Sequence, residues 1–567
     1  KKEGALMKKL IFLLLATILA VTLILVGCGQ KTTTTAPATT TAVTTAPKPT
    51  TTAPAATTTA PLPTTAAPTT AASAHPVQGS IVRIMNQGPT VLGYPPEMGP
   101  NDNYSGIYTM ETLFVLNTVT GIYEGVIAEK WSIDQKAMTM TLNIRKGIKF
   151  HDGTVCDAKA VAWNMQLNKD AKIQYFTYIA SMDIVDDYTL RLNLSSLDIT
   201  TITMMSSTGM ISPTAYQNSG TTDDARKVWA RANVVGTGPY KLVDYKRDSY
   251  ISFTRFDNYW RTGQPYIQNV KILIIPDTMV SSALLQSGDA DCWWSNANIA
   301  PTAIDLEKKG FGVNWWVSGI AYHLLFNSAD PAKPYSNVKV RQAIEYAINR
   351  PELAALVGYG KYVPLTYLAA PGSMADPGGD PHAFNVQKAK DLLKEAGYPS
   401  GFKTQLLTNI TRDAVTAAAI QGYLKAAGID CTIDAADVSR YYNQIWTTTG
   451  WSDIAFVMMP LATNNSEIIF QMGSKPLNFK AACFYKTPAF LQMADQALTY
   501  PTYESAKDIM TKMVKQCSDD ALCVPLFNIP YSLIYLNIPG KTYHTGFCTS
   551  QTGSNWRVWE DWTDKTK

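Results

Sequence analysis

T-L-N-I-R-K-G-I-K-F-H-D-G-T, Thr141 to Thr154, passes in one short stretch from an alternating apolar pattern to a polar turn. With Met138 and Met140 just upstream, Leu142 and Ile144 place apolar side chains at every second position, the period of a half-buried strand. K-F-H-D-G-T then reads as a turn with Gly153 near its end. Asp157 follows at a position that can cap a helix carrying Val161, Trp163 and Met165. Both periods recur outward from this stretch. Leu190, Leu192 and Leu194 alternate again. Asn385 can cap a helix with Ala389, Leu392, Leu393 and Ala396 on one face and Gly397 at its end. A further helix carries Ala417, Ile420 and Leu424 to Gly428, before a strand-like C-T-I-D. Another, around Val338 to Asn349, is broken by Arg350-Pro351, with Pro351 placed to start the next one. This mixture predicts an α/β or α+β fold. No fixed-period repeat occurs, which excludes solenoids and propellers.

The N-terminal part is of a different kind. Met7-Lys8-Lys9 precedes an apolar run from Leu10 to Val26 and then Gly27-Cys28. A charged region, an apolar region and a small residue before the cut describe a secretory signal. A spanning anchor is the alternative, at the lower edge of spanning length. Lys31 to about Gln78 is almost entirely Thr, Ala and Pro. Such a segment buries too little apolar surface to offset its ordering entropy, and reads as an extended stalk, glycosylated or bare.

The 567-residue chain has 49 Lys and Arg against 45 Asp and Glu, a formal charge of +4. Lys1, Lys2, Lys8 and Lys9 less Glu3 supply three of those charges, so the rest is nearly neutral, which argues against nucleic acid as a partner. Cys156, Cys292, Cys431, Cys483, Cys517, Cys523 and Cys548 remain beyond Cys28, an odd number. Cys517 and Cys523 flank an expected helix-to-strand turn and form a candidate disulfide. No C-x-x-C pair suggests zinc or redox chemistry.

Several blocks, in order, resemble the bacterial extracellular solute-binding proteins of the oligopeptide, dipeptide and nickel importers. They are I-A-E-K-W-S-I-D at Ile127 to Asp134 with the opening stretch, G-T-G-P-Y-K-L at Gly236 to Leu242, F-D-N-Y-W at Phe256 to Trp260 and L-L-Q-S-G-D-A-D at Leu284 to Asp291. N-V-K-V-R-Q-A-I-E-Y-A-I-N-R follows at Asn337 to Arg350, then A-K-D-L-L-K-E-A-G-Y at Ala389 to Tyr398, A-D-Q-A-L at Ala494 to Leu498 and V-P-L-F at Val524 to Phe527. Leu25-Val26-Gly27-Cys28 also resembles the bacterial lipobox, which implies lipidation of Cys28 and loss of residues 1–27.

The resemblance implies an α/β, two-lobed periplasmic-binding-protein (Venus-flytrap) fold of the large cluster C type with an additional third domain. It places the stalk at 28–79, the first lobe at 80–112, 203–322 and 525–567, the additional domain at 113–202 and the second lobe at 323–524, with crossings near Tyr322 and Pro525 as the hinge. It implies a monomer at the cell surface or in the periplasm, lipid-anchored to the membrane, that gives a small-molecule ligand to the transmembrane subunits of an ABC permease, with no cofactor and no catalysis.

Two features invite enzymatic readings. Gly236-Thr237-Gly238-Pro239 resembles a phosphate loop, but Pro239-Tyr240-Lys241-Leu242 continues as a strand and leaves no helix N-terminus for an anion. It reads as a structural turn. His151 beside Asp152 lacks a nucleophile at useful spacing and reads as a turn histidine held by hydrogen bonds. A secreted hydrolase finds no G-x-S-x-G or H-E-x-x-H to begin from. A receptor reporting to a membrane kinase stays open beside the import receptor.

In peptide-binding relatives an acidic residue past the F-D-x-A strand pairs with the ligand ammonium. Here the matching stretch is S-D-I-A-F-V-M-M-P-L-A-T-N-N, Ser452 to Asn465, and Ala462 stands about where the acid belongs, with Phe456 nearest in register to the Arg of some relatives and Glu467 a few residues on as a substitute acid if the loop shifts. The expected lining is therefore apolar and aromatic: Trp293, Trp294, Phe456, Met458 and Met459, with Tyr94, Asn296 and Tyr322 chosen by position. Adjacent Trp residues on a strand face opposite ways, so one of the pair is expected in the core. His75, His151, His323, His382 and His544 are scattered, and no metal site is expected, which leaves a nickel chelate held by other groups, or a peptide, as alternative ligands.

Overall fold

The computed structural model describes residues 78–116, 122–173, 176–199, 202, 205–206, 208–295, 299–410, 414–461, 466–474, 479–545 and 557–564. The leader, Cys28 and the stalk up to residue 77 lie outside these residues, and Gln78 and Gly79 already belong to a strand. A mixed sheet of eleven strands organises the rest. From one edge it runs Ile429–Ala436, Phe402–Asn409, Ile454–Pro460, Gly312–Phe326 and Cys523–Tyr535. It continues through Cys292–Ser295, Gln78–Met85, Ile267–Ile274, Tyr250–Arg255 and Tyr240–Lys246, and Val363–Pro364 pairs with Cys523–Tyr535 off that path. The centre belongs to two long antiparallel strands, Gly312–Phe326 and Cys523–Tyr535, which run through both halves of the sheet.

Capping residues start the helices as their chemistry dictates. Asp157 accepts from the Ala160 amide at 2.9 Å and opens the helix Ala158–Asp170. Asn385 does the same for Lys388 at 2.9 Å and opens Val386–Glu395. Asn349 caps Arg350–Gly358, whose second residue is Pro351. These side chains satisfy amides that the first turn leaves without partners.

The sheet halves carry separate apolar cores. Tyr322, Leu353, Leu393, Leu424 and Phe456 pack together on one half, and Leu407, Val457, Met459, Met513 and Cys523 on its other face. The opposite half holds Ile81, Tyr108, Phe253, Trp294 and Leu533, with Ile84, Trp293 and Leu306 on the reverse. A second sheet, Ala128–Asp134, Thr139–Ile144, Thr189–Leu194 and Ile179–Asp186, is wholly antiparallel, and Val161 and Met165 of the helix Ala158–Asp170 share its core. The opening stretch thus forms a central strand of this sheet, and Leu142 and Ile144 are buried in it.

Arg83 and Asp561 form a fully buried ion pair, and the Arg83 guanidinium also donates to the hydroxyls of Tyr108 and Tyr543. This network fastens the C-terminal segment to the strand Gln78–Met85.

Cys517 and Cys523, the candidate disulfide pair, are both buried, with sulfurs 3.8 Å apart and no bond between them. That is van der Waals contact, well beyond the ~2.05 Å of a disulfide.

Candidate functional site

The two long strands lose their regular pairing where they pass between the sheet halves. Val317 pairs with Pro530 and Ala321 with Asn528, so the register shifts between them and again between Tyr322 and His323. Pro530 and Pro525 lack amide donors, and interrupted pairing is what a strand tolerates at such residues.

An aromatic group stands on each side of this interruption. On one side Trp294 lies 4.1 Å from Tyr104 between ring centres, and its ring meets Tyr531 edge-on at 6.1 Å. On the other, Tyr322 stacks on Phe456 at 4.8 Å, and Phe527 packs between Tyr322 at 5.4 Å and Tyr362 at 5.2 Å. Ile320, within the irregular segment, packs against the apolar cores of both sides. Burial leaves the Tyr104 phenol harder to ionise than usual, outweighing the opposing hydrogen bond with Tyr531, and burial together with Tyr104 does the same to the Tyr531 phenol. Both tyrosines therefore stay neutral and offer hydroxyl donors and acceptors. The Trp294 indole N–H is buried and has no hydrogen-bond partner among the described residues. The cavity beside Trp294, lined also by Arg83, Met85, Tyr104 and Ile107, measures about 10 Å³. That is room for no more than one water. Flat rings, a buried N–H and phenol hydroxyls suit an apolar or aromatic solute with a few polar atoms.

The sequence-derived candidates divide clearly. Trp294, Tyr322 and Met458 border the interruption, Met458 being half-buried opposite Tyr322 in the neighbouring strand. Trp293 does not reach it: its side chain is 0% exposed and its indole donates to Asn86 Oδ1 at 3.0 Å, which makes it a packing residue. Phe456 is buried behind Tyr322, and Met459 faces the other core. Tyr94 is buried against Tyr216, rings parallel at 6.2 Å. Asn296 and Ala462 lie outside the described residues. Tyr104, Tyr531, Tyr362 and Phe527 were not legible as a group. Each is an ordinary tyrosine or phenylalanine, and only contacts between distant segments assemble them.

Other polar clusters are structural. His151 Nε2 meets Gly238 O at 2.9 Å, its Nδ1 accepts from the Gly236 amide at 3.3 Å, and burial lowers its pKa to about 4. Gly236 and Gly238 are there because a Cβ would stand 2.1 Å from Thr109 O at the first and 2.6 Å from Thr109 C at the second. The loop is a turn packed on backbone, as expected. Glu111 is buried and accepts from Tyr259 Oη and Trp260 Nε1, each at 2.8 Å. Among the described residues no three His, Cys, Asp or Glu come close enough to hold a metal, and no helix is long and apolar enough to cross a membrane. A groove of about 850 Å³ opens between Gly372–Pro377 and the helix Lys507–Asp519. Its walls carry exposed lysines and carboxylates of both signs, a solvated surface without aromatic lining.

Comparison with known proteins agrees with this architecture. GsiB, a glutathione-binding protein of Shigella flexneri, is 28% identical over 326 residues, 56% of this chain and 62% of the relative. The match thus spans less than two thirds of that relative's length. DppA of Helicobacter pylori, an ABC transporter-associated periplasmic binding protein solved with the peptide STSA, superposes with TM-score 0.68 at 22% identity, covering 86% of this chain and 99% of that one. NikA of Brucella suis, solved with Fe(III)-EDTA, gives 0.70 at 21%, covering 84% and 99%. HbpA2 of Haemophilus parasuis gives 0.73 at 18%, covering 85% and 99%. These likenesses establish the two-lobed α/β binding-protein fold. The sequence profile of the bacterial extracellular solute-binding proteins, family 5 Middle, matches residues 123–467, more than half of the chain, and the chain belongs to that family.

Proposed function

We propose that this chain captures a small organic solute outside the cytoplasmic membrane and delivers it to the permease of an ABC importer. The observation that carries this reading is the interrupted pairing between Val317 and Ala321, with aromatic rings on either side. Two strands with broken register form a short flexible link, and small changes in backbone torsion there swing the lobes about the solute. The lobes would be 80–112 with 203–322 and 525–567, and 323–524, with 113–202 as the additional domain. The names of the relatives, with glutathione, a peptide and a metal chelate among their ligands, support a soluble metabolite as the cargo.

The solute in this reading has apolar or aromatic character, because Trp294, Tyr104, Tyr531 and Tyr322 are the side chains the site offers. Ala462, where relatives place an acid, weighs against a free ammonium as the main anchor. Leu25-Val26-Gly27-Cys28 supports a lipid anchor on Cys28, and the Thr/Ala/Pro segment would then serve as a tether.

Thermal-shift screening of the lipid-free chain tests the ligand class. Binding adds RT ln(1 + [L]/Kd), so a micromolar solute at about a hundredfold excess stabilises by about 2.7 kcal/mol. An apolar or aromatic solute is expected to raise Tm, whereas stabilisation confined to di- to pentapeptides with a free N-terminus contradicts the argument from Ala462. Cys28→Ser is expected to release the protein from the membrane fraction, and retention there contradicts the lipid anchor.

A further inference from the structure

We infer that Cys517 and Cys523 close into a disulfide when the chain folds in an oxidising compartment, stapling the helix Lys507–Asp519 to the crossing strand Cys523–Tyr535. The thiols are in contact, with sulfurs 3.8 Å apart, and both are buried. The Leu522 amide donates to Cys517 O at 2.9 Å, and the Arg341 guanidinium donates to the carbonyls of Asp520 and Ala521 at 2.5 and 3.0 Å. The connecting turn is therefore held from outside, and the sulfurs need only a small side-chain rotation to reach bonding distance. Cys156, Cys292 and Cys431 sit in three other apolar cores, while Cys483 packs at the margin of the core that holds Cys517 and Cys523.

The chemistry is thiol–disulfide exchange with an external disulfide of the glutathione or oxidoreductase class. The thiolate of one cysteine attacks that disulfide, forming a mixed disulfide and releasing one thiol. The second cysteine attacks the protein sulfur of the mixed disulfide, forming the Cys517–Cys523 bond and releasing the other thiol. Two electrons and two protons pass to the oxidant. In the folded chain, hydrogen bonding to Cys517 and burial raise the pKa of the Cys523 thiol, which suppresses the attacking thiolate. Oxidation thus belongs to folding, and the finished bond is a structural staple shielded from reductants. Its site is the root of a strand that enters the other lobe, so it would stiffen the second lobe against the motion proposed above without touching the solute.

The test is independent of that motion and of where the protein is exported. The full chain is unfolded, refolded with oxidised and reduced glutathione, denatured again and alkylated without reduction, and its peptides are mapped by mass. The expected product is a peptide pair joined through Cys517 and Cys523 and lighter by two hydrogens, with Cys28, Cys156, Cys292, Cys431, Cys483 and Cys548 alkylated. Closing so short a loop should favour the folded state by on the order of 50-fold. The oxidised chain should accordingly melt a few degrees above the reduced one, and Cys523→Ser should melt at the same temperature with or without reductant. Full alkylation of Cys517 and Cys523 after oxidative refolding, or bonds formed instead to other cysteines, overturns the inference. The peptide map needs no variant and stands even if Cys523→Ser folds poorly.

Discussion

Lys361 Nζ lies 2.9 Å from Glu307 Oε2 and 4.8 Å from the centre of the Trp315 ring, tying the helix Ala300–Lys308 to the segment that follows the helix Arg350–Gly358. Leu306 of the first helix packs with Ile84 and Trp293, and Leu353 of the second packs with Tyr322 and Phe456. The pair therefore joins two separate apolar cores. Both charges are partly exposed, which limits its worth to about 1 kcal/mol or less. A double-mutant cycle with Lys361→Met and Glu307→Gln, followed by urea denaturation, should give a coupling within that limit that shrinks in about 1 M salt. A salt-independent coupling well above it contradicts the surface-pair account.

Arg83 and Asp561 call for the opposite expectation. Their pair is fully buried, and Asp561→Ala leaves the Arg83 guanidinium without its counter-charge while Tyr108 and Tyr543 supply only neutral oxygens. The loss should be about 3–5 kcal/mol, read as a lowered urea midpoint. A loss below about 1 kcal/mol contradicts this role.

His323 and His382 should shift stability with pH in opposite directions. His323 is buried with neither ring nitrogen hydrogen-bonded among the described residues, and burial lowers its pKa to about 3. The unfolded chain, with a histidine pKa near 6.5, takes the proton first, so His323 costs stability progressively as pH falls from about 6.5 toward about 3. At His382 burial opposes the charge, but the hydrogen bond and charge of Glu345, 2.9 Å away, outweigh it and raise the pKa. Its stabilising contribution is complete below the unfolded pKa of about 6.5 and is lost as pH rises through the higher folded value. His323→Leu should remove the first dependence and His382→Gln the second, in urea titrations from pH about 4 to about 8. Difference curves that slope the same way contradict the assignment.

The secondary structure was largely legible because its signals are local: caps at Asp157 and Asn385, period-two runs at Met140–Ile144 and Leu190–Leu194, and the turn at Gly236–Pro239. The site was not. Strands in the middle of this sheet are covered on both faces, so Trp293 and Trp294, or Met458 and Met459, alternate between two cores rather than between core and solvent. Local pattern predicted that the two tryptophans face apart but not which of them borders the strand crossing. Tyr104 and Tyr531 on one side of the crossing, and Tyr322 on the other, are placed there by contacts between segments far apart in sequence.

Trp293 offers a direct check on that division. Trp293→Ala empties a fully buried site and strands Asn86 Oδ1, which should cost about 3–5 kcal/mol. Solute affinity of the folded fraction should be unchanged. Weakened binding at unchanged stability contradicts the assignment of Trp293 to the core.

Isothermal titration of the Trp294→Ala variant with the solute that stabilises the unaltered chain tests the central claim most directly. One-to-one binding is expected for the unaltered chain and a loss of at least about tenfold, or about 1.4 kcal/mol, for the variant, as the indole ring and its buried N–H leave the site. Affinity in Trp294→Ala equal to that of the unaltered chain contradicts the placement of the solute at the strand crossing.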